Sequence, residues 1–271
     1  MKLVNAQYSP IAPISILEDL ESRGVLGNYL LLLAQDVFAH ESRYIQLLHK
    51  VRDRHSGEGF VILDNGAVEL GSPVLPKDLE GIAIALKVDC YVLPDVLGDM
   101  MGTLQLLQDS LEDIRRIGIP IMRVPQGDTS EQVVRCIEAI MASTTGLCNH
   151  PKYGELWSVP RWIANKFGSR LPTIQFINNF AHEPSIHLLG MSTQFKDDIR
   201  ATSLPNVIGI DSANPVVLGL AQKNMGISFV DGGITHDDRA DLWQRTEATS
   251  CVVDNMQFVR HCILTADLER N

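Results

Sequence analysis

Three aspartates, Asp64, Asp95 and Asp211, each stand at the end of a short apolar run, where a carboxylate is placed for chemistry. Asp211 lies in Gly209-Ile210-Asp211-Ser212-Ala213-Asn214-Pro215 and follows Val207-Ile208-Gly209-Ile210, which reads as a buried strand. Barrel enzymes keep their reacting groups at the C-terminal ends of such strands. Together with Asp64 and Asp95, Asp211 suggests a nucleophile in a site that holds three carboxylates. One carboxylate can attack a sugar carbon and form a covalent glycosyl intermediate. A second can pass a proton to a departing base and take one from an incoming base. A third can accept hydrogen bonds from ring N–H and amino groups, and Gln126 offers both a donor and an acceptor to a base edge. That set suits recognition and exchange of a planar, purine-like base. An Asp after a strand can also be no more than the N-cap of the next helix. Asp231, before Gly232-Gly233, fits that structural role best. Asn65-Gly66 and Val96-Leu97-Gly98 postpone the helix after Asp64 and Asp95.

The elements that must position these groups are legible as alternating patterns. Strand-like runs occur at Tyr29–Ala34, Gly59–Leu63, Cys90–Leu93, Ile119–Val124, Glu155–Val159, Ile186–Leu189, Val207–Ile210 and Ile227–Val230. Most are short and rich in Val, Ile or Leu, as strands buried on both faces are. Amphipathic stretches such as Ser42–Arg54, Thr103–Arg116 and Ser130–Ala142 lie between them. Gly118, Pro184, Pro205 and Gly226 punctuate the approaches to strands. Eight β/α repeats predict an α/β fold, a TIM (β/α)8 barrel closed by right-handed crossovers. An open doubly wound sheet would carry a Gly-x-Gly-x-x-Gly fingerprint after an early strand, and the sequence has none. The expected organisation is one domain over residues 1–271. Residues 1–28 form an N-terminal cap, 29–233 the barrel core and 234–271 the C-terminal helices.

Composition narrows the classes further. The 271 residues are 45% hydrophobic and 21% charged, ordinary for a globular protein. Neither a bilayer-length apolar run nor a basic-then-apolar secretory start is present, so a cytoplasmic protein without a membrane partner is expected. Five scattered cysteines without a Cys-x-x-Cys pair point to reduced thiols. Cys148 and His150 alone do not make a metal site. The net charge of −10 opposes phosphate binding in general. Lys152, Arg161, Lys166 and Arg170 against Glu155 alone make a local basic stretch, which is a solvated face or a contact for phosphates.

These residues resemble the tRNA-guanine transglycosylase superfamily over roughly residues 29–233. Leu63-Asp64-Asn65-Gly66-Ala67 is similar to the Asp-Ser-Gly-Gly/Ala motif of that family, and Val124-Pro125-Gln126-Gly127 to its Val-Gln-Gly motif. His187-Leu188-Leu189-Gly190 resembles its Leu-Met-Gly segment, and Gly209-Ile210-Asp211-Ser212-Ala213 the Phe-Asp-Ser-Ala nucleophile motif of archaeal members. The resemblance implies that Asp211 attacks C1′ and expels guanine, with Asp64 as general acid/base. Asp95, Gln126 and Gly127, with Val159, Pro160, Leu189 and Gly190, would bind the base. The second substrate would be a free 7-deazaguanine, and no cofactor or metal is implied.

The chain departs from the tRNA enzymes in lacking the C-terminal Cys-x-Cys-x-x-Cys…His zinc site that helps hold tRNA and form the dimer. It is therefore closer in type to the zinc-free DNA 7-deazaguanine transglycosylases of phages and genomic islands. DNA is the expected polymer in preference to tRNA, in the host cytoplasm if the protein is phage-encoded. The acidic charge predicts salt-sensitive, modest affinity unless a helper protein assists, and a homo-oligomer is the other partner that stays open. Guanine must leave the stack, at a cost of a few kcal/mol, before C1′ is reached. Arg161, Lys166, Lys196 and Arg200 are the candidates for flanking phosphates, and Trp157 or Trp162 for stacking on a base unless they serve the core. Two other readings stay open. Phe229-Val230-Asp231-Gly232-Gly233-Ile234 resembles the phosphate loop of ribulose-phosphate epimerase-like barrels, which would make this a small-molecule enzyme on a nucleoside or sugar phosphate. A non-catalytic partner barrel is the other, although such a barrel has no need of both Asp64 and Asp211.

Overall fold

The computed structural model describes residues 6–147, 149–228 and 244–266. In its first half the chain runs β1 (Gln7–Pro10), α1 (Ile14–Ser22), β2 (Tyr29–Leu33), α2 (Ala34–Ala39), α3 (Glu41–Arg54), β3 (Phe60–Asp64), α4 (Ala67–Leu70), α5 (Pro76–Leu86), β4 (Cys90–Val92), α6 (Met100–Ile117) and β5 (Ile121–Arg123). It continues through α7 (Ser130–Thr144), β6 (Leu156–Pro160), α8 (Arg161–Phe167), α9 (Leu171–Phe180), β7 (Ser185–Leu189), α10 (Phe195–Thr202), β8 (Val207–Ser212), α11 (Asn214–Leu220), α12 (Met225–Ser228) and a last helix, α13 (Ser250–Thr265). The strands form one parallel sheet in the order β1-β8-β7-β6-β5-β4-β3-β2. Each strand is followed by a helix, and the sheet curls almost into closure. At the seam β1 reaches β2 through a side chain, the Ser9 hydroxyl accepting the Leu31 N–H at 2.8 Å. This is a TIM barrel.

Two apolar layers hold it. Residues on the outer faces of the strands, such as Leu30, Leu63, Tyr91 and Ile210, pack against the surrounding helices. The inner faces contribute Leu31, Ile62, Val92, Met122, Val124 and Leu156 to a second cluster that fills the barrel. Burial on both faces is why β3, β6 and β8 are buried along their whole length and why their sequences read as nearly continuous apolar runs. At the N-terminal mouth the rings of Tyr153 and His150 meet Phe60 at 4.9 and 5.3 Å. The helices start and stop where their sequences dictate. Asp99, Thr129 and Thr249 cap α6, α7 and α13 by accepting backbone N–H bonds, and Gly118 ends α6 in the left-handed conformation.

Two expectations need correction. The N-terminal stretch expected as a cap contains a barrel strand, because Gln7–Pro10 pairs with β8, Ser9 lying opposite Asp211. The run Ile227–Val230 is not the eighth strand, since Ile227 and Ser228 belong to the short helix α12. Phe229 and Val230 lie outside the described residues, as do the Phe229–Ile234 loop with Asp231 and Cys148. The strands expected from Tyr29 to Ile210 are therefore β2 to β8, and β1 supplies the eighth. Among the described residues Cys90, Cys136, Cys251 and Cys262 form no disulfide. Among the described residues no helix is long and apolar enough to cross a membrane.

Candidate active site

Asp64, Asp95 and Asp211 line one pocket of about 340 Å³ at the C-terminal rim of the barrel. None of them is a helix cap: Gly66, Asp99 and Ala213 occupy the N-cap positions of α4, α6 and α11. Asp64 ends β3, and its Oδ2 accepts the Gly66 N–H at 3.0 Å across a tight turn that Gly66 closes with φ 71°. Burial pushes the Asp64 carboxyl well above the usual carboxylate range. Glu69 adds to this, the Gly66 N–H opposes it, and Asp95 and Asp211 contribute further in the same direction. Burial thus favours the neutral, proton-donating form of Asp64.

Asp95 is fixed by its neighbours from the adjoining strands. Asn65 Nδ2 donates to its Oδ1 at 2.8 Å and also to the Leu93 carbonyl at 2.6 Å. Gln126 Nε2 donates to its Oδ2 at 2.5 Å, while Gln126 Oε1 accepts the Gly98 N–H at 2.9 Å. Burial raises the Asp95 carboxyl, against the lowering effect of those two side-chain donors. Gln126 is buried behind Asp95 rather than lining the pocket, and its amide holds the Asp95 carboxyl in place.

Asp211 is held differently. The ladder between β7 and β8 slips by one residue, with Ile186 opposite Val207 but His187 opposite Gly209. Ile208 turns into the barrel while Val207 and Ile210 pack outward. The slip resets the alternation, so that Asp211 points inward, where regular pairing would have sent it outward; re-aiming a side chain is a common use of a bulge. Its Oδ1 accepts the Gly190 N–H at 2.7 Å and lies 2.9 Å from His187 Nε2. The other imidazole nitrogen, Nδ1, is 2.8 Å from the Tyr29 hydroxyl. Burial keeps that phenol well above its usual range, with Cys90, Asp211 and Tyr153 adding to the effect, so Tyr29 remains a donor.

Of the other expected site residues, Pro160, Arg161, Leu189 and Gly190 line the pocket. Val159 and Gly127 do not line it. Val159 faces the outer layer, and Gly127 sits against Gln132 and Val133 at the start of α7. The expected phosphate contacts do not converge. Lys166 pairs with Asp128. Lys196 and Arg200 line a separate groove between α10 and α13. Arg170, part of the basic stretch, is buried against Asp198 at 3.3 Å and donates to the Gly190 carbonyl. Trp157 is core, whereas Trp162 lines the pocket.

The sequence reading did not assign roles to His187, Tyr29, Asn65 or Glu69. Glu69 lines the pocket with its carboxyl raised, chiefly by burial. His187 was visible inside the His-Leu-Leu-Gly segment, but nothing in that run shows that its ring turns inward. Among the described residues no group of His, Cys, Asp and Glu is arranged to hold a metal ion. What the chain has is a barrel with three differently held carboxylates at its C-terminal rim. No family model matches it, and no curated protein matches it.

Proposed function

We propose that the chain is a pentosyltransferase that exchanges guanine in DNA for a 7-deazaguanine through a covalent Asp211–glycosyl intermediate. One observation carries this reading. Asp64, whose burial favours its protonated form, and Asp211, anchored through one oxygen, share a pocket with Asp95, and pairs of carboxyls whose environments differ are how acid and nucleophile are told apart. In the first half-reaction an Asp211 oxygen bonds to C1′, the C1′–N9 bond breaks, and the base leaves with the Asp64 proton. In the second the incoming base gives its proton back to Asp64, its nitrogen attacks C1′, and Asp211 is released as a carboxylate. Asp95, clamped by Asn65 and Gln126, accepts from the N–H groups of the base edge. The pocket volume suits a nucleobase with its sugar.

One observation favours a second substrate for the same chemistry. Lys166 is paired with Asp128, and Lys196 and Arg200 line a separate groove, which leaves Arg161 as the one expected phosphate contact at the pocket and suits a free nucleoside better than a polymer. Exchange of radiolabelled guanine, or of a labelled 7-deazaguanine, into duplex DNA, single-stranded DNA, tRNA and deoxyguanosine decides between them. Label is expected in DNA with the wild type and in no substrate with Asp211→Asn. Label in nucleoside or tRNA alone corrects the substrate. Normal turnover by Asp211→Asn overturns the nucleophile.

A further inference from the structure

His187 is buried at the centre of the barrel, with a partner at each ring nitrogen. A carboxylate can only accept, so the 2.9 Å contact with Asp211 Oδ1 places the proton on Nε2. Nδ1 is then the acceptor of the Tyr29 hydroxyl at 2.8 Å. Tyr29 is in turn held by its ring, stacked on Phe60 with centroids 5.6 Å apart and lying against Gly209. The Gly190 N–H reaches the same Asp211 oxygen from the loop after β7. Two donors therefore converge on Oδ1, and among the described residues Oδ2 takes no hydrogen bond.

We infer that His187, its tautomer set by Tyr29, is a positioning residue that with the Gly190 N–H anchors Asp211 through Oδ1 and makes Oδ2 the attacking oxygen. This rests on the base-exchange reading for its kinetic consequence only. When Oδ2 bonds to C1′, Oδ1 becomes the carbonyl oxygen of the ester and keeps both donors. When the intermediate is resolved, the same donors receive the returning negative charge. No proton has to move through His187 in either step; the ring sets geometry and charge. A histidine that served packing alone would have no need of a defined tautomer or of a phenol behind it.

The test has two arms on the intact chain. In the first, nitrogen-15 histidine labelling reads the His187 tautomer by long-range proton–nitrogen correlation. A proton-bearing Nε2 and an unprotonated Nδ1 are expected, with Nδ1 changing its shift in Tyr29→Phe. A proton on Nδ1, in either a neutral or a doubly protonated ring, would overturn the inference. In the second, exchange is measured for His187→Leu, His187→Gln and Tyr29→Phe. A hydrogen bond to a charged group is worth enough that His187→Leu should lower kcat by about 10- to 100-fold with KM for the free base unchanged. His187→Gln, which retains an N–H donor, should recover most of that loss. Tyr29→Phe removes a single oxygen, so it tests the same chain should His187→Leu fail to fold, and a several-fold fall in its kcat is expected. Wild-type kcat in both His187→Leu and Tyr29→Phe would sink the inference. If the wild type exchanges no base, the functional reading fails while the tautomer still decides how Asp211 is held.

Discussion

Replacing Gly209 by alanine tests the interior geometry on which the Asp211 anchor depends. A Cβ at this position would lie 2.5 Å from two carbons of the Tyr29 ring and 2.7 Å from its hydroxyl oxygen. Carbon atoms in contact sit about 3.5–4.0 Å apart, so the ring would have to retreat by about 1 Å. Phe60 is stacked behind it and His187 holds its hydroxyl, so retreat costs packing and a buried hydrogen bond together. Overpacking of this kind costs about 1–3 kcal/mol, against about 0.4–1 kcal/mol gained from the stiffer unfolded chain. A net loss of about 1–2 kcal/mol lowers Tm by about 2–8 °C in a domain of this size. Gly81 on α5 is the control, because a Cβ there meets no atom within 4 Å. Gly81→Ala should gain about 0.5–1 kcal/mol from helix propensity, so the two variants should move Tm in opposite directions. Thermal unfolding by circular dichroism reads both. A Gly209→Ala protein as stable as wild type would refute the claim that Tyr29 is wedged in place.

Asp64 and Arg170 carry the remaining predictions. Burial holds the Asp64 carboxyl above its unfolded value, so the folded state keeps a proton that the unfolded state gives up as pH rises past about 4. Wild-type stability should therefore fall with rising pH by up to about 1.4 kcal/mol per unit through that window. Asp64→Asn lacks this loss, so its advantage in urea unfolding should grow from pH 4 upward; a constant difference would contradict a raised Asp64. Arg170→Met leaves Asp198 charged in the interior and should cost about 3–5 kcal/mol. The double variant Arg170→Met/Asp198→Asn should recover most of that cost. Strict additivity in a double-mutant cycle would show that the pair is not coupled.

Much of the barrel was legible because strands buried on both faces must be apolar, and seven runs from Tyr29 to Ile210 are of that kind. β1 was hidden by its own chemistry. Gln7-Tyr8-Ser9-Pro10 is short, half polar and ends in proline, since it stands at the seam and spends Ser9 on a side-chain bond to β2. The start of the run at Ile227 misled for the converse reason, an apolar run too short for periodicity to separate strand from helix. In the site, the aspartates were found because a carboxylate after an apolar strand is conspicuous in one dimension. His187 and Tyr29 were not assigned, because an inward-facing polar residue looks like any other until the phase of the strand is known. The slip at Ile208, which sets that phase for Asp211, has no sequence mark beyond Gly209. Charge misled for a related reason: Lys166, Arg170, Lys196 and Arg200 are basic in sequence, but sequence does not say which way each one faces.

The three carboxylates all lie at or just beyond the C-terminal ends of β3, β4 and β8, and what most distinguishes them is what each one accepts. Asp64 takes a single turn N–H and faces three other carboxyls, which leaves protonation as its way to lower energy. Asp95 has both oxygens occupied by side-chain amides, and those donors are themselves tied to the backbone at Leu93 and Gly98. That suits a group which must keep its orientation while substrates change. Asp211 has two contacts on one oxygen, which fixes the plane of the carboxylate and leaves the second oxygen for a new bond. Interchanging these surroundings would interchange the roles. On the proposed mechanism, moving the amide clamp to Asp211 would weaken it as a nucleophile, and stripping Asn65 from Asp95 would leave it competing with Asp64 for a proton. The functional assignment therefore rests on the neighbours Gly66, Asn65, Gln126, Gly190 and His187 as much as on the aspartates.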